Sequence, residues 1–419
     1  MRRLLVAAVA VLAFAPPALA APPEADVRFA TFNASLNRAA AGQLVEHLSQ
    51  PAVDDVFRRQ ARNVAEVVQR VRPDVLLINE FDFAPAAVDL FRDNFLEVSQ
   101  NGAAPIDYPY AFIAPSNTGI ASGMDFSNDG VVGGPNDAFG FGFFPGQFGL
   151  VVYSRYPIEL DAVRTFQLFR WQDMPGALLP DDPRTPAPAD WYSPDELAIF
   201  RLSSKSHWDV PVRIGKKTVH FLVSHPTPPV FDDPPAFPAG VDFNGRRNHD
   251  EIRFWADYVT PGRAGYIYDD AGVGGGLKPG ELFVIAGDQN SDPLDGDSIP
   301  GSIQQLTEHP LVNTQRTPAS AGAVEATALQ GGANATHLSD PRFDTADFSD
   351  TAPGNLRADY VLPRKSLRIV DAGVFWPVQA DPLFRLTGVF SSALWGPVGG
   401  FPTSDHRLVW VDVAVPTVT

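Results

Sequence analysis

The sequence predicts an α/β fold with its chemistry gathered at one rim, and three observations carry that reading. Short apolar runs with strand character recur between residues 27 and 413, interspersed with at least two stretches of helical spacing. Polar and acidic residues stand repeatedly just past the ends of those runs. The chain, 419 residues with 45% hydrophobic and 19% charged, is long enough to bury a sizeable core in one large domain or two medium ones.

The elements follow in order. Arg2 and Arg3 open a short positive region, Leu4 to Ala15 form an apolar run, and Ala18-Leu19-Ala20 is a small-residue cleavage site. Residues 1–20 therefore read as a signal peptide and the mature chain as starting at Ala21, secreted or periplasmic. That apolar run falls short of the roughly 20 residues a bilayer requires, and no later stretch reads as a transmembrane segment. Val27 to Asn33 alternates as a strand and stops at a polar residue. Asn63 to Val71 has helical spacing, with Val64, Val67, Val68 and Val71 on one side, and Pro73 ends it. Val75 to Asn79 is a buried strand leading into Glu80. Leu150–Tyr153, Val219–Ser224, Leu282–Ala286, Tyr360–Leu362 and Leu408–Val413 read as further strands, and Asp250–Tyr258 as a helix. Glycine- and proline-rich loops lie between them: 101–149, 180–194, 226–244, 270–280 and 388–402. With no repeat and no linker, residues 21–419 are expected to form a single domain with long loop insertions.

Composition excludes several chemistries. There is no cysteine, hence no disulfide, thiolate metal site or cysteine nucleophile. The formal net charge of −17 becomes −19 once Arg2 and Arg3 leave with the signal. A duplex-tracking nuclease binds by neutralising phosphates with Lys and Arg, so this charge disfavours duplex DNA as a partner. No obligate protein partner is implied.

The residues at the strand ends are Asn33, Glu80, His225, Asp288 with Asn290, and Asp405 with His406. Carboxylates, amides and histidines held rigidly at one rim suit a hard divalent cation and a phosphate. Mg²⁺, which takes oxygen ligands and substrate phosphate, fits first, with Mn²⁺ or Ca²⁺ as alternatives. Asp288 to Asp297 begins like an EF-hand calcium loop, but Pro293 stands where glycine is required and Ile299 where the bidentate glutamate belongs.

Taken in order, the segments Thr31-Phe32-Asn33, Ile78-Asn79-Glu80-Phe81-Asp82, Gly149 to Ile158, Ser224-His225-Pro226, Gly287-Asp288-Gln289-Asn290, Arg357 to Val361 and Ser404-Asp405-His406 resemble the endonuclease/exonuclease/phosphatase superfamily of DNase I-like metal-dependent phosphoesterases. The resemblance runs from about Val27 to Val413 and implies a four-layer α-β-β-α sandwich of two mixed sheets flanked by helices. It implies metal-assisted in-line attack of water on a phosphodiester or phosphomonoester. By that resemblance Glu80 is the principal metal ligand, helped by Asn33 and Asp405. Asp288 orients or deprotonates the water, Asn290 holds a phosphate oxygen, and His406 stands on the scissile phosphate with Asp359 behind it. His225 is a second phosphate-facing histidine, against the alternative of a core histidine. Whether Asp288 or His406 is the general base stays open.

Two departures accompany the resemblance. Residues 226–250 form an insertion at the site mouth, where Arg246, Arg247 and Asn248 either contact a phosphate or pair with Asp250 and Glu251. The aromatic stretch Phe139 to Phe148 either meets a ligand or lipid, or packs under a lid. The substrate classes left open are a phosphorylated small molecule, a phospholipid headgroup as in sphingomyelinases, and a nucleic acid. An inactive binding protein on the same scaffold is the non-enzymatic alternative.

Overall fold

Two mixed β-sheets face each other across an apolar interior, and helices cover both outer faces. The computed structural model describes residues 24–234 and 236–418. The expected signal peptide lies outside the described residues. None of the described helices is long and apolar enough to cross a membrane.

The strands are β1 (Glu24–Leu36), β2 (Val75–Phe81), β3 (Tyr110–Phe112), β4 (Leu150–Ser154), β5 (Arg164–Thr165), β6 (His207–Ile214), β7 (Lys217–Ser224) and β8 (Leu282–Asp288). They continue as β9 (Ala346–Asp347), β10 (Asn355–Leu356), β11 (Asp359–Pro363), β12 (Arg368–Val374) and β13 (Val409–Pro416). One six-stranded sheet has the order β12-β13-β1-β2-β4-β3, and a five-stranded sheet the order β11-β8-β7-β6-β5. The helices that matter below are α1 (Gln43–Ser49), α2 (Val56–Val71), α3 (Pro85–Phe91), α4 (Pro194–Leu197) and α5 (Phe243–Val259).

Side-chain alternation explains the layering. Along β1 and β2, Phe29, Val75 and Leu77 point inward to meet Val210, Phe221, Val223 and Val284 of the other sheet. Their neighbours Ala30, Leu76 and Ile78 point outward to Val64 and Val68 of α2 and Phe91 of α3. On the far side, Leu222, Ile285 and Tyr360 pack against Ile252, Trp255 and Val259 of α5. A strand covered on both faces reads as an unbroken apolar run, as Val75–Ile78 does. The expected four-layer α-β-β-α sandwich is the observed architecture.

Several elements differ from expectation, among them the helix expected over Asn63–Val71, which begins at Val56, and the unexpected strand β12, and two of the differences bear on the site. The helix expected over Asp250–Tyr258 begins at Phe243, capped by the Asp242 carboxylate, which accepts from Gly245 N at 3.1 Å. Residues 243–249 are therefore helical and not part of a mouth loop. Strand β6 was not anticipated, because the buried Asp209 and Pro211 interrupt its apolar pattern. Asp209 is satisfied by His220 Nδ1 at 2.7 Å and by the Tyr258 hydroxyl at 2.6 Å.

Candidate active site

One rim collects the chemistry because of strand direction. The C-terminal ends of β1, β2, β7 and β8 open there, and so do the N-terminal ends of β4, β6, β11 and β13, which run antiparallel to their neighbours. On the six-stranded sheet, Asn33 pairs in register with Asn79, so Glu80 stands one step beyond it. The register then slips between Asn33 and Leu36, with Ser35 and Glu80 in left-handed backbone at φ 47° and 59°. Such a bulge re-aims the side chain it carries, here Glu80, and left-handed backbone at a non-glycine residue costs on the order of 1–3 kcal/mol. On the five-stranded sheet, Asp359 and Asp288 are direct register partners. Gly287, at φ 147°, is glycine because a Cβ there would lie 1.9 Å from the Ser224 carbonyl oxygen. The adjacent strands approach closely just before Asp288.

Asp288 is the meeting point of the two sheets. Its Oδ2 accepts from Asn33 Nδ2 at 3.0 Å and lies 3.2 Å from His225 Nε2 and 3.6 Å from His406 Nε2. Its Oδ1 accepts from Asn290 N at 2.9 Å. Burial pushes this carboxyl up, but His406, His225 and Asn33 outweigh it and hold Asp288 well below the usual carboxylate range. His406 Nδ1 lies 2.8 Å from Asp359 Oδ2, which also accepts from Thr345 Oγ1 at 2.8 Å. Burial alone would lower His406, yet Asp359 and Asp288 raise it well above an ordinary histidine. The opposite holds at His225: burial, with Lys205 nearby, lowers it to about 4 and leaves it neutral. The site thus carries an imidazolium, a neutral imidazole and a carboxylate around one space.

Glu80 is pushed up to about 7, first by burial and then by Asp405. A buried carboxylate held near a second one and beside an amide forms an oxygen donor set suited to a hard divalent cation. Asn33 presents its amide nitrogen to Glu80 Oε1 at 3.1 Å and its oxygen to Ser35 N at 3.3 Å, so it would ligate a cation only with the amide turned over. A second grouping, Asp288, Asp359 and His406, has ligand atoms all within 4.8 Å of one another. There the Asp359 oxygen and His406 Nδ1 are already engaged with each other.

All the catalytic and metal residues expected from sequence except Asp405 take part in these contacts, and Asp405 acts on Glu80 through its charge. Asn290, in left-handed backbone at φ 49°, gives one amide hydrogen to the Pro226 carbonyl at 3.0 Å, and the other has no hydrogen-bond partner among the described residues. Arg247 and Asn248 do not join the site. Arg247 is buried, and its guanidinium donates to the carbonyls of Leu202 at 2.9 Å, Phe139 at 2.6 Å and Arg201 at 2.8 Å. Asn248 is buried and ties the Thr227 and Gln289 carbonyls together at 2.8 and 2.9 Å. Both brace the loops behind the rim, because the helix carrying them starts earlier than its polar sequence suggests. In the aromatic stretch Phe139 is buried, while Phe141 and Phe143 are exposed and packed edge-to-face at 5.5 Å.

Three further residues stand at the rim in roles the sequence does not announce. Thr345 anchors Asp359. Glu251 of α5 accepts from Ser204 N at 2.6 Å and Thr227 N at 2.7 Å, clamping two rim loops. Lys205 precedes β6 at the same rim. A lone Thr, Glu or Lys in a loop or helix carries no sequence signal for such a role.

The family model described as Endonuclease/Exonuclease/phosphatase family matches residues 30–406. No curated protein matches the chain. An endonuclease/exonuclease/phosphatase from Beutenbergia cavernae is 16% identical, covers 93% of this chain and 72% of its own, and has a TM-score of 0.47. A family protein from Leptotrichia buccalis is 12% identical over 92% of this chain and 99% of its own, at 0.44. Sphingomyelinase C from Streptomyces griseocarneus is 16% identical over 93% and 99%, at 0.41.

Proposed function

This chain belongs to the endonuclease/exonuclease/phosphatase family, and from that premise we propose that it is a metal-dependent hydrolase of phosphate esters, exported after removal of residues 1–20. The observation that carries the reading is the line Asp359–His406–Asp288, with Asn33 and His225 on the same Asp288 oxygen. Phosphoryl transfer is mostly positioning and charge neutralisation, and this arrangement supplies both. Glu80 and Asp405, with a reoriented Asn33, would hold a divalent cation, Mg²⁺ first by its preference for oxygen. When bound, the cation offsets charge on the phosphate and polarises it.

The chain's own groups do the rest. Asp288, kept ionised, holds the attacking water and takes its proton. His406, kept protonated by Asp359, faces the phosphate as a hydrogen-bond donor to the charge that develops there. His225, neutral, and the second amide hydrogen of Asn290 complete the cradle. This assigns the general base to Asp288 and leaves His406 as acid and electrostatic stabiliser.

The test is turnover of bis-p-nitrophenyl phosphate, p-nitrophenyl phosphate, sphingomyelin, inositol phosphates and plasmid DNA, with and without EDTA. At least one small ester is expected to turn over, with activity lost in EDTA and restored by Mg²⁺, Mn²⁺ or Ca²⁺. Glu80→Gln is expected to lose most activity and regain part in excess Mg²⁺. Full activity after EDTA and dialysis would overturn the mechanism. Absence of turnover on every ester would favour the inactive-scaffold alternative, and a preference for plasmid that falls steeply with salt would favour a nuclease.

A further inference from the structure

Arg407 follows His406 directly and is buried, with 1% of its surface exposed. A guanidinium carries five N–H donors and keeps its charge, so burying it demands partners. Its two terminal nitrogens find them. One donates to the Ser404 carbonyl at 2.6 Å and to the His406 carbonyl at 3.2 Å, and the other donates to Asp347 Oδ2 at 3.0 Å. The guanidinium carbon also lies 4.4 Å from the ring centre of Trp376 and 5.3 Å from that of Phe401, cation–π contacts that take the place of water. Asp347 is buried too, and both its oxygens are used: Oδ1 accepts from Gln330 Nε2 at 2.7 Å and Oδ2 from Arg407. Replacing such a buried pair by apolar residues is often neutral or stabilising, so stability alone is a weak reason for it.

Its place in the fold gives a stronger reason. Strand β9 is two residues long and pairs on one side with Asn355 and Leu356 of β10. On its other side is the turn that carries His406. Ala346 bridges His406, Asp347 N donates to the Asp405 carbonyl at 2.7 Å, and Arg407 N donates to the Thr345 carbonyl at 2.8 Å. Thr345 Oγ1 meanwhile donates to Asp359 Oδ2 at 2.8 Å, the same oxygen that meets His406 Nδ1 at 2.8 Å. Residues 345–347 therefore hold Asp359 by a side chain and residues 405–407 by the backbone. So short a bridge has little stability of its own. The Asp347–Arg407 pair ties its end to the Ser404 and His406 carbonyls, which flank Asp405, and so fixes its register.

We infer that Asp347 and Arg407 are a pair of positioning residues that hold the His406 imidazole against Asp359 on one side and Asp288 on the other. Both charges are spent on protein groups, so the pair acts through His406 and not on the phosphate. This rests on the phosphoesterase reading above. The tolerance is narrow: a reacting side chain has to sit within about 0.5 Å and roughly 10–20° of its productive geometry.

The test uses the full chain carrying Asp347→Asn, Arg407→Met, the two combined, and Arg407→Lys. The direct readout is the Nδ1–H proton of His406 in the magnetic resonance spectrum of protein labelled in its eight histidines, identified by its loss in His406→Ala. Hydrogen-bonded to Asp359, that proton resonates far downfield. Asp347→Asn and Arg407→Met are each expected to move the signal upfield or broaden it away. With bis-p-nitrophenyl phosphate and Mg²⁺, kcat should fall about 10- to 100-fold, as for the loss of a group that orients a functional side chain, while KM stays within about 2-fold. The combined variant should turn over within about 2-fold of the poorer single one, because the two act as a unit. Arg407→Lys, which keeps the charge, should regain part of the signal and of kcat. An unshifted Nδ1–H signal in Asp347→Asn and Arg407→Met overturns the inference, whatever happens to turnover. So do losses that multiply in the combined variant, and so does a wild-type spectrum without the downfield signal. Should Arg407→Met not fold, Asp347→Asn and Arg407→Lys decide by the same signal. The spectrum needs no turnover, so a wild-type protein inactive on every ester would count against the phosphoesterase reading and leave the Nδ1–H signal to decide on the pair.

Discussion

Replacing Glu251 with Gln isolates the clamp behind the rim. The two carboxylate oxygens serve opposite loops: Oε1 accepts from Ser204 N at 2.6 Å and Ser204 Oγ at 2.9 Å, and Oε2 accepts from Thr227 N at 2.7 Å. Gln offers one oxygen and one NH₂. Whichever way the amide turns, one backbone N–H faces another donor in a buried setting, at a cost of about 1–3 kcal/mol. The surviving bonds lose their ionic character, roughly another 1 kcal/mol. Removing a buried carboxylate relieves desolvation, but Arg247 and Lys205 lose the charge that most offsets their own burial, so little of that relief remains. The expected net loss is about 3 kcal/mol. With an unfolding entropy near 2.1 cal/mol/K per residue, a chain of this length should melt about 3–4 °C lower. Calorimetry and urea midpoints read this directly. Activity should fall as well, because Thr227 lies two residues after His225, which meets Asp288. A stability loss below about 1 kcal/mol, or a more stable Gln variant, would refute the account of the clamp.

Two further outcomes are expected. Asp359→Asn and His406→Ala should be strongly non-additive, since residues acting as one unit lose most of their effect with the first substitution; losses in activation free energy that simply sum would dismiss the pairing. His207, buried, with Nδ1 2.9 Å from Ser203 Oγ and Nε2 3.0 Å from the Glu251 carbonyl, is lowered to about 4 from 6.5, chiefly by burial. The unfolded chain therefore takes up this proton first as pH falls, so the contribution is intact above about 6.5 and is lost between there and about 4, up to roughly 3 kcal/mol. Urea midpoints at pH 7.5 and 5 should fall more for wild type than for His207→Gln, and equal falls would remove His207 from the acid response.

The fold was legible where burial on both faces left a continuous apolar run, as in Val75–Asn79 and Leu282–Ala286, and where a helix kept one apolar side, as in Asn63–Val71. The candidate site was legible because strands deliver polar residues at their ends, as with Asn33, Glu80, His225, Asp288 and His406, whereas Asp359 enters only through the family resemblance. What failed was the reading of charge. In β6 and at the start of α5, Asp209, Arg247, Asn248 and Glu251 are polar yet buried, each satisfied by a partner far along the chain. Periodicity counts such residues as exposed, which starts α5 too late and misses β6 altogether. Lys205 was invisible for the same reason: its burial depends on Asn117 and Glu251, which no local pattern connects to it.

The same tertiary pairing bears on substrate. The sequence has 32 basic residues against 49 acidic ones, and the surface arginines are largely committed to neighbouring acids. Arg155 meets Asp74 at 2.9 Å, Arg184 meets Asp182 at 2.8 Å, Arg342 meets Asp340 at 2.6 Å, and Arg368 meets Glu24 at 2.7 Å. Such exposed pairs add little stability, but each cancels a positive charge that a polyanion would otherwise meet. A duplex must gain affinity from several uncancelled cations in a row, whereas a single phosphate needs only local ones. The two histidines at the rim, His225 and His406, both meet Asp288 between the sheets. On the proposed function such a site would hold one phosphate and offer no track to the next, which is the physical ground for expecting a small ester to outcompete plasmid.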